Sequence, residues 1–191
     1  MLGIPAAQNC TYTACFCEEN VWQLCHKVDT EEPELGENCF AVFISNATRA
    51  IPLWKQKAGK DDDCLIIWDY HVIFVVKNAD SSLVYDLDTT LTFPVPFLQY
   101  IDEAIRSEDD IQPQYHRFFR VISAKSYLQT FASDRSHMKK DDQWLAEPPS
   151  YPPIHTTENT HNLDCFIDMT AGTGYGDVLT LQDFVGRFSR T

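Results

Sequence analysis

The run LIIWDYHVIFVV, residues 65–76, limits what this chain can become more than any other stretch. Apart from Asp69 and His71 it is apolar or aromatic, so it reads as a strand over 64–76 buried in a sheet. A buried polar group left unsatisfied costs about 1–3 kcal/mol. Asp69 and His71 therefore need an exit to solvent, a partner or a function.

The polar stretch KNADSS leads from this run into LVYDLD, which predicts an antiparallel hairpin. A turn centred between Asn78 and Ala79 sets His71 opposite Asp86, whereas one centred between Ala79 and Asp80 sets it opposite Asp88. In both registers all three side chains share a face, because strand side chains alternate with period two. A carboxylate there can orient His71 through one ring nitrogen and leave the other free as a base. Spacing alone leaves Asp86 and Asp88 as alternatives.

Elsewhere, CFCEENVWQLCHKV places Val21, Leu24, Cys25 and Val28 on one stripe, predicting a helix from about Glu18 to Lys27. DTEEPELGEN reads as a solvated loop, CFAVFISN as a strand, IPLWKQ as a short strand and the DDD run at 61–63 as a turn. FLQYIDEAIRSED has helical spacing, YHRFFRVISA a strand pattern, and SAKSYLQTFAS a short helix capped by Ser123 or Ser126. EPPSYPPIHTTENTHN, with four prolines, predicts a long loop. TLQDFVGRF predicts a last helix capped by Thr180. Helices mixed with hairpins fit an α+β fold around an antiparallel sheet, in a single domain over 1–191.

The 191 residues carry 15 Lys+Arg against 28 Asp+Glu, a formal charge of −13. Such a surface repels nucleic-acid backbones and anionic membrane and favours a cationic ligand. No stretch reaches the length of a membrane span, and MLGIPAAQNC has neither a basic nor a long apolar leader segment. Seven cysteines, an odd number, then read as reduced thiols in cytosol or nucleus rather than a disulfide framework. The pair Cys15 and Cys17 lacks the companion ligands of a zinc site.

A nucleophile would complete the chemistry that His71 and a carboxylate begin, and Cys17 is the best placed. It stands where TYTAC enters the first helix, where unpaired N–H groups favour a thiolate and can hold an oxyanion. Glu18 and Glu19 oppose thiolate formation, so a nearby imidazolium has to outweigh them. The plain alternatives are a small buried Cys17 and a satisfied core His71.

CFCEENVW, WDYHV, VYDLDT and FASDRSHM, in this order and spacing, resemble the protein N-terminal glutamine amidohydrolases, the WDYHV-motif family. The likeness runs from about Cys10 to Phe188. It departs at Phe16, where Tyr is expected, at EPPSYPP, which interrupts a purer proline run, and at Tyr175, where Trp is expected. The resemblance implies a papain- or transglutaminase-like α+β core with catalytic Cys17, His71 and Asp86, which selects Asp86 over Asp88.

It also implies the reaction: an N-terminal glutamine of a protein or peptide becomes glutamate, with release of ammonia through a thioester. No metal or organic cofactor is needed by this route. Partners are proteins or peptides with a free N-terminal Gln, with no nucleic acid or membrane, and the enzyme is expected to act as a monomer in cytoplasm or nucleus within the N-degron pathway. Refusing internal glutamines requires groups that meet the free α-ammonium, for which Glu18, Glu19 and Asp134 are candidates. A cysteine protease, a transglutaminase-like acyl transferase and a non-catalytic acidic module are the alternatives.

Overall fold

In a computed structural model, residues 6–78 and 81–189 are described. In chain order the elements are α1 (Cys17–Glu31), β1 (Cys39–Ser45), β2 (Ile51–Leu53), β3 (Ile66–Trp68), β4 (His71–Lys77), β5 (Ser82–Tyr85) and β6 (Val95–Pro96). There follow α2 (Phe97–Tyr100), β7 (Phe118–Ser123), α3 (Ala124–Thr130), β8 (Lys139–Lys140), β9 (Gln143–Trp144), α4 (Asp164–Ile167), β10 (Asp177–Leu179) and α5 (Leu181–Phe188). Six strands form one sheet in the order β10-β7-β1-β4-β5-β6. Each neighbouring pair is antiparallel, so the α+β expectation holds.

The central strands β1 and β4 are apolar on both sides because both sides are covered. Ala41, Phe43, Val72 and Phe74 face α1, through Val21, Leu24 and Val28, together with Tyr127 of α3 and Phe166 of α4. On the opposite side Val42, Ile44, Ile73 and Val75 meet Phe97 and Tyr100 of α2 and Phe184 and Phe188 of α5. Ser123 caps α3 by accepting from the Ser126 N–H, and Thr180 caps α5 by accepting from Asp183. Among the described residues, no helix is long and apolar enough to cross a membrane.

The expected strand over 64–76 is not continuous. It breaks at Asp69 and Tyr70: β3 pairs with β2 in a separate two-stranded ribbon, while β4 enters the main sheet. Asp69 stabilises the break by accepting from the Tyr70 N–H at 2.9 Å, a local side-chain bond that competes with a strand ladder. Its carbonyl accepts from the Ser45 hydroxyl at 2.8 Å, tying the break to the end of β1. The polar residue in the apolar run marks the point where the chain changes sheets.

Other differences are local. The first helix runs four residues past its expected end, to Glu31. The helical pattern after Phe97 gives only α2 and one π turn over Ile101–Ile105, ended by Arg106 at φ +64°. The proline-rich segment forms a loop as expected, bridged at Ile154 to Ser133. The short elements β8, β9, β10 and α4 have too few residues to produce a readable period.

Candidate active site

The ladder between β4 and β5 runs from Phe74 opposite Tyr85 to Lys77 opposite Ser82. Prolonged, that register sets Asp88 opposite His71; the turn residues Ala79 and Asp80, on which the expectation rested, lie outside the described residues. Pairing stops at Tyr85, however, and the chain turns so that Asp86 comes to His71 instead. Asp86 Oδ1 lies 2.9 Å from His71 Nε2, with both side chains wholly buried.

Protein donors surround Asp86 on both oxygens. Oδ1 also accepts from the Asp88 N–H, and Oδ2 accepts from Tyr100 Oη at 2.9 Å and from Gln56 Nε2 at 3.3 Å. Burial pushes the Asp86 carboxyl up, but His71 and these donors outweigh it and hold it below its usual range. Burial likewise pushes the His71 imidazole down, and the charge and hydrogen bond of Asp86, then Asp88 and Glu18, carry it above its ordinary value. Trp68 stacks on the ring at 5.0 Å between centroids, and Nδ1, the nitrogen turned away from Asp86, is buried without a hydrogen-bond partner.

Cys17 arrives from the other side of the sheet as the first residue of α1. Asn20 fixes the lead-in loop by accepting from the Thr13 N–H and donating to the Thr13 carbonyl. No side chain caps the helix, so its first N–H groups stay open for an oxyanion. The thiol is 7 % exposed. Burial, then Glu18 and Asp88, pushes it well up, with the Val72 N–H acting in the opposite direction. These surroundings favour the thiol over the thiolate, with the sulfur lying beside the first residues of β4.

A cavity of about 420 Å³ opens over this sulfur, lined among others by Cys15, Tyr70, Asp69, Asp88, His137 and Leu145. Of the residues expected to meet an ammonium group, Glu18 is sealed beneath Cys17, accepting from Tyr70 Oη at 3.0 Å. Glu19 is held by Arg135, whose Nε and Nη2 each donate at 2.7 Å. Asp134 is half-exposed and stands 3.0 Å from His161 Nδ1. Asp69 and Asp88, which sequence reasoning left as a strand end and an alternative partner, face the cavity directly. Their positions, Asp69 two residues before His71 and Asp88 two residues after Asp86, were the available signal.

Arg135 does more than neutralise Glu19. It donates to the carbonyls of Pro149, Tyr151 and Pro152 and lies over the Tyr151 ring, so the proline-rich loop is fastened to α1 through one guanidinium. Arg135→Ala leaves a buried carboxylate unpaired and is expected to cost about 3–5 kcal/mol of stability. Urea denaturation measures this; a loss under about 1 kcal/mol contradicts the clamp.

His71, Asp86 and Asp88 each offer a ligand atom within 4.8 Å of the others. Because both Asp86 oxygens already accept from two protein donors each, the cluster is built as a hydrogen-bonded pair with a wall carboxylate rather than as a metal cage. A histidine oriented by a carboxylate, with a cysteine at a helix start nearby, is the equipment of hydrolases that act on amides. The comparisons agree with that class. The N-terminal glutamine amidase family matches residues 12–188. A protein N-terminal glutamine amidohydrolase of Drosophila melanogaster is 50% identical over 189 residues, 98% of this chain and 92% of the relative. That of Drosophila willistoni is 51% identical over 186 residues, 96% and 91%. This chain belongs to the N-terminal glutamine amidase family.

Proposed function

We infer that the protein hydrolyses the side-chain amide of an N-terminal glutamine to glutamate and releases ammonia, using Cys17, His71 and Asp86. The observation that carries this reading is the buried His71–Asp86 pair, whose free Nδ1 belongs to the residue next to Val72, against which the Cys17 sulfur lies. Nδ1 takes the thiol proton as sulfur attacks the amide carbon, and the open N–H groups of α1 hold the oxyanion. The imidazolium then protonates the departing ammonia, leaving a thioester. Water, deprotonated by Nδ1, hydrolyses the thioester and returns the thiol.

The α-ammonium group meets Asp69 and Asp88 on the cavity wall. Glu19 is spent on Arg135, Glu18 is covered, Asp134 faces His161, and Asp164, which also lines the cavity, is paired with Arg49, so among the described residues these two are the lining carboxylates with no ion-pair partner. Asp88 already accepts from Tyr12 Oη at 2.6 Å, which fixes its orientation. A substrate lacking the ammonium leaves them unpaired, and that penalty supplies selection against blocked or internal glutamine.

Incubation of Gln-peptide, Asn-peptide and acetyl-Gln-peptide followed by mass spectrometry tests the reading. A one-dalton gain with ammonia and no chain cleavage is expected for the Gln-peptide alone. Cleavage or transfer to an amine indicates the protease or transglutaminase alternative, and equal turnover of acetyl-Gln rejects the N-terminal requirement. Asp88→Asn raises KM roughly 10- to 100-fold, the scale of one hydrogen bond to a charged group; an unchanged KM removes Asp88 from recognition.

The papain- or transglutaminase-like core and the cellular setting rest on the resemblance. By it, the new N-terminal glutamate is a secondary degradation signal of the N-degron pathway in cytoplasm or nucleus. A Gln-initiated reporter whose lifetime is unaffected by loss of this protein rejects that placement.

A further inference from the structure

Beside Cys17 stands a further histidine–carboxylate pair, His137 and Glu18, which the mechanism above does not use. Glu18, next to the nucleophile, is fully buried. Its Oε2 accepts from Tyr70 Oη and lies 3.7 Å from Cys17 Sγ. Its Oε1 has no hydrogen-bond partner, and neither does either ring nitrogen of His137. These orphans face each other: His137 Nε2 stands 3.6 Å from Glu18 Oε1, and the His137 side chain is 23 % exposed.

A buried carboxylate with one empty oxygen is costly where it stands, and an imidazole with two empty nitrogens beside it is the nearest donor. With its N–H on Nε2, His137 closes the contact by donating to Glu18 Oε1. The other groups facing His137 are His161, with ring centroids 6.4 Å apart, and Asp134, which is 3.0 Å from His161 Nδ1. Those facing Cys17 are Glu18, Asp88, Asp69 and the Val72 N–H. Among the described groups, Glu18 is the carboxylate in contact with both the thiol and His137.

We propose that His137 is a positioning residue that acts on Cys17 through Glu18: its Nε2–H donates to the empty Oε1, draws the carboxylate charge away from the sulfur and makes the thiolate accessible. His71 and His137 divide the work. One receives the thiol proton, and the other engages the carboxylate that would hold it in place. The sequence carries this arrangement in two separate motifs, CFCEENVW and FASDRSHM, joined here across α1 and the turn over Ser136–Met138.

The test is the pH dependence of Cys17 alkylation by iodoacetamide, followed by site-resolved mass spectrometry on the intact protein. His137→Gln moves the profile to higher pH, so that alkylation at pH 7 falls about tenfold, one unit of thiol ionisation. His137→Lys, which places an N–H donor at Oε1 again, returns it toward wild type. In a Glu18→Gln background His137→Gln moves nothing, because the two act as one unit. Equal thermal midpoints for the single variants and wild type establish that all are folded; if His137→Gln fails that check, the Lys variant and the Glu18→Gln background decide between them. Superimposable profiles overturn the proposal, as does the same displacement in the Glu18→Gln background. A raised KM with an unmoved profile overturns it too, because His137 then contacts substrate instead.

Discussion

Cys17→Ala protein, given a Gln-peptide, is expected to release ammonia at less than about 10⁻⁴ of the wild-type rate, as when the nucleophile of a catalytic unit is removed. No neighbouring thiol can substitute. Cys15 is exposed two residues earlier, at φ +68°, and it stands outside the helix whose first N–H groups are the oxyanion donors of the proposed mechanism. Cys25, two turns further along α1, is buried in the core. The substitution removes one sulfur from a site whose packing is carried by Val21, Leu24 and Val28, so the circular-dichroism spectrum should match wild type. Retained turnover with an unchanged fold would falsify the assignment of the nucleophile.

The second large effect is at Asp86, where Asn should lower kcat/KM about 10³–10⁴-fold, the scale seen when the orienting carboxylate of a triad is neutralised. Everything that touches Asp86 donates: His71 Nε2–H, the Asp88 N–H, Tyr100 Oη and Gln56 Nε2. An amide nitrogen placed among these must oppose a donor. Facing His71, it forces the ring to expose a bare Nε2 and moves the proton to Nδ1, where the base is needed. Facing Tyr100 and Gln56, it breaks two buried bonds.

The same variant reverses the electrostatics of the histidine. With Asp86 gone, burial acts against the imidazolium with only Asp88 and Glu18 opposing it, so the His71 midpoint falls. The sign in stability follows. A folded value above the unfolded one, about 6.5, stabilises wild type fully below that pH, and the contribution is lost as pH rises through the folded value. Asp86, held low, contributes above its unfolded value, about 3.9, and that contribution is lost as pH falls through the folded one. In Asp86→Asn both contributions disappear. An NMR titration in which the His71 midpoint is equal in both proteins contradicts this account.

Sequence patterning was informative where the period was long and the chemistry local. α1, β1, β7, α3 and α5 announce themselves by stripes, alternation and caps, and Ser123 and Thr180 do cap as their positions suggest. The hairpin arithmetic expected His71, Asp86 and Asp88 on one strand face; the structure gathers their side chains within 4.8 Å, although both aspartates lie past the end of β5. The arithmetic could not select the partner, because the choice is made by the chain leaving the ladder at Tyr85, and no residue-spacing rule reports where pairing stops. The break at Asp69 was legible only as a misplaced polar residue. What sets Glu19 apart from Glu18 was invisible, since Arg135 and His137 lie more than a hundred positions away and are brought in by tertiary packing alone.

His71 stands on the face of β4 opposite the one that α1 covers, while Cys17 rides α1, so on the proposed mechanism neither layer contains the reaction by itself. The apolar contacts beneath α1 therefore act as a spacer. On that mechanism, the depth at which Val21, Leu24 and Val28 settle on β1 and β4 sets how far the sulfur stands from the proposed base. Because a misplacement of about 1 Å can cost a hundredfold in rate, these core positions would then calibrate catalysis as much as they hold the molecule together. A change there that the fold absorbs easily is still registered by the chemistry.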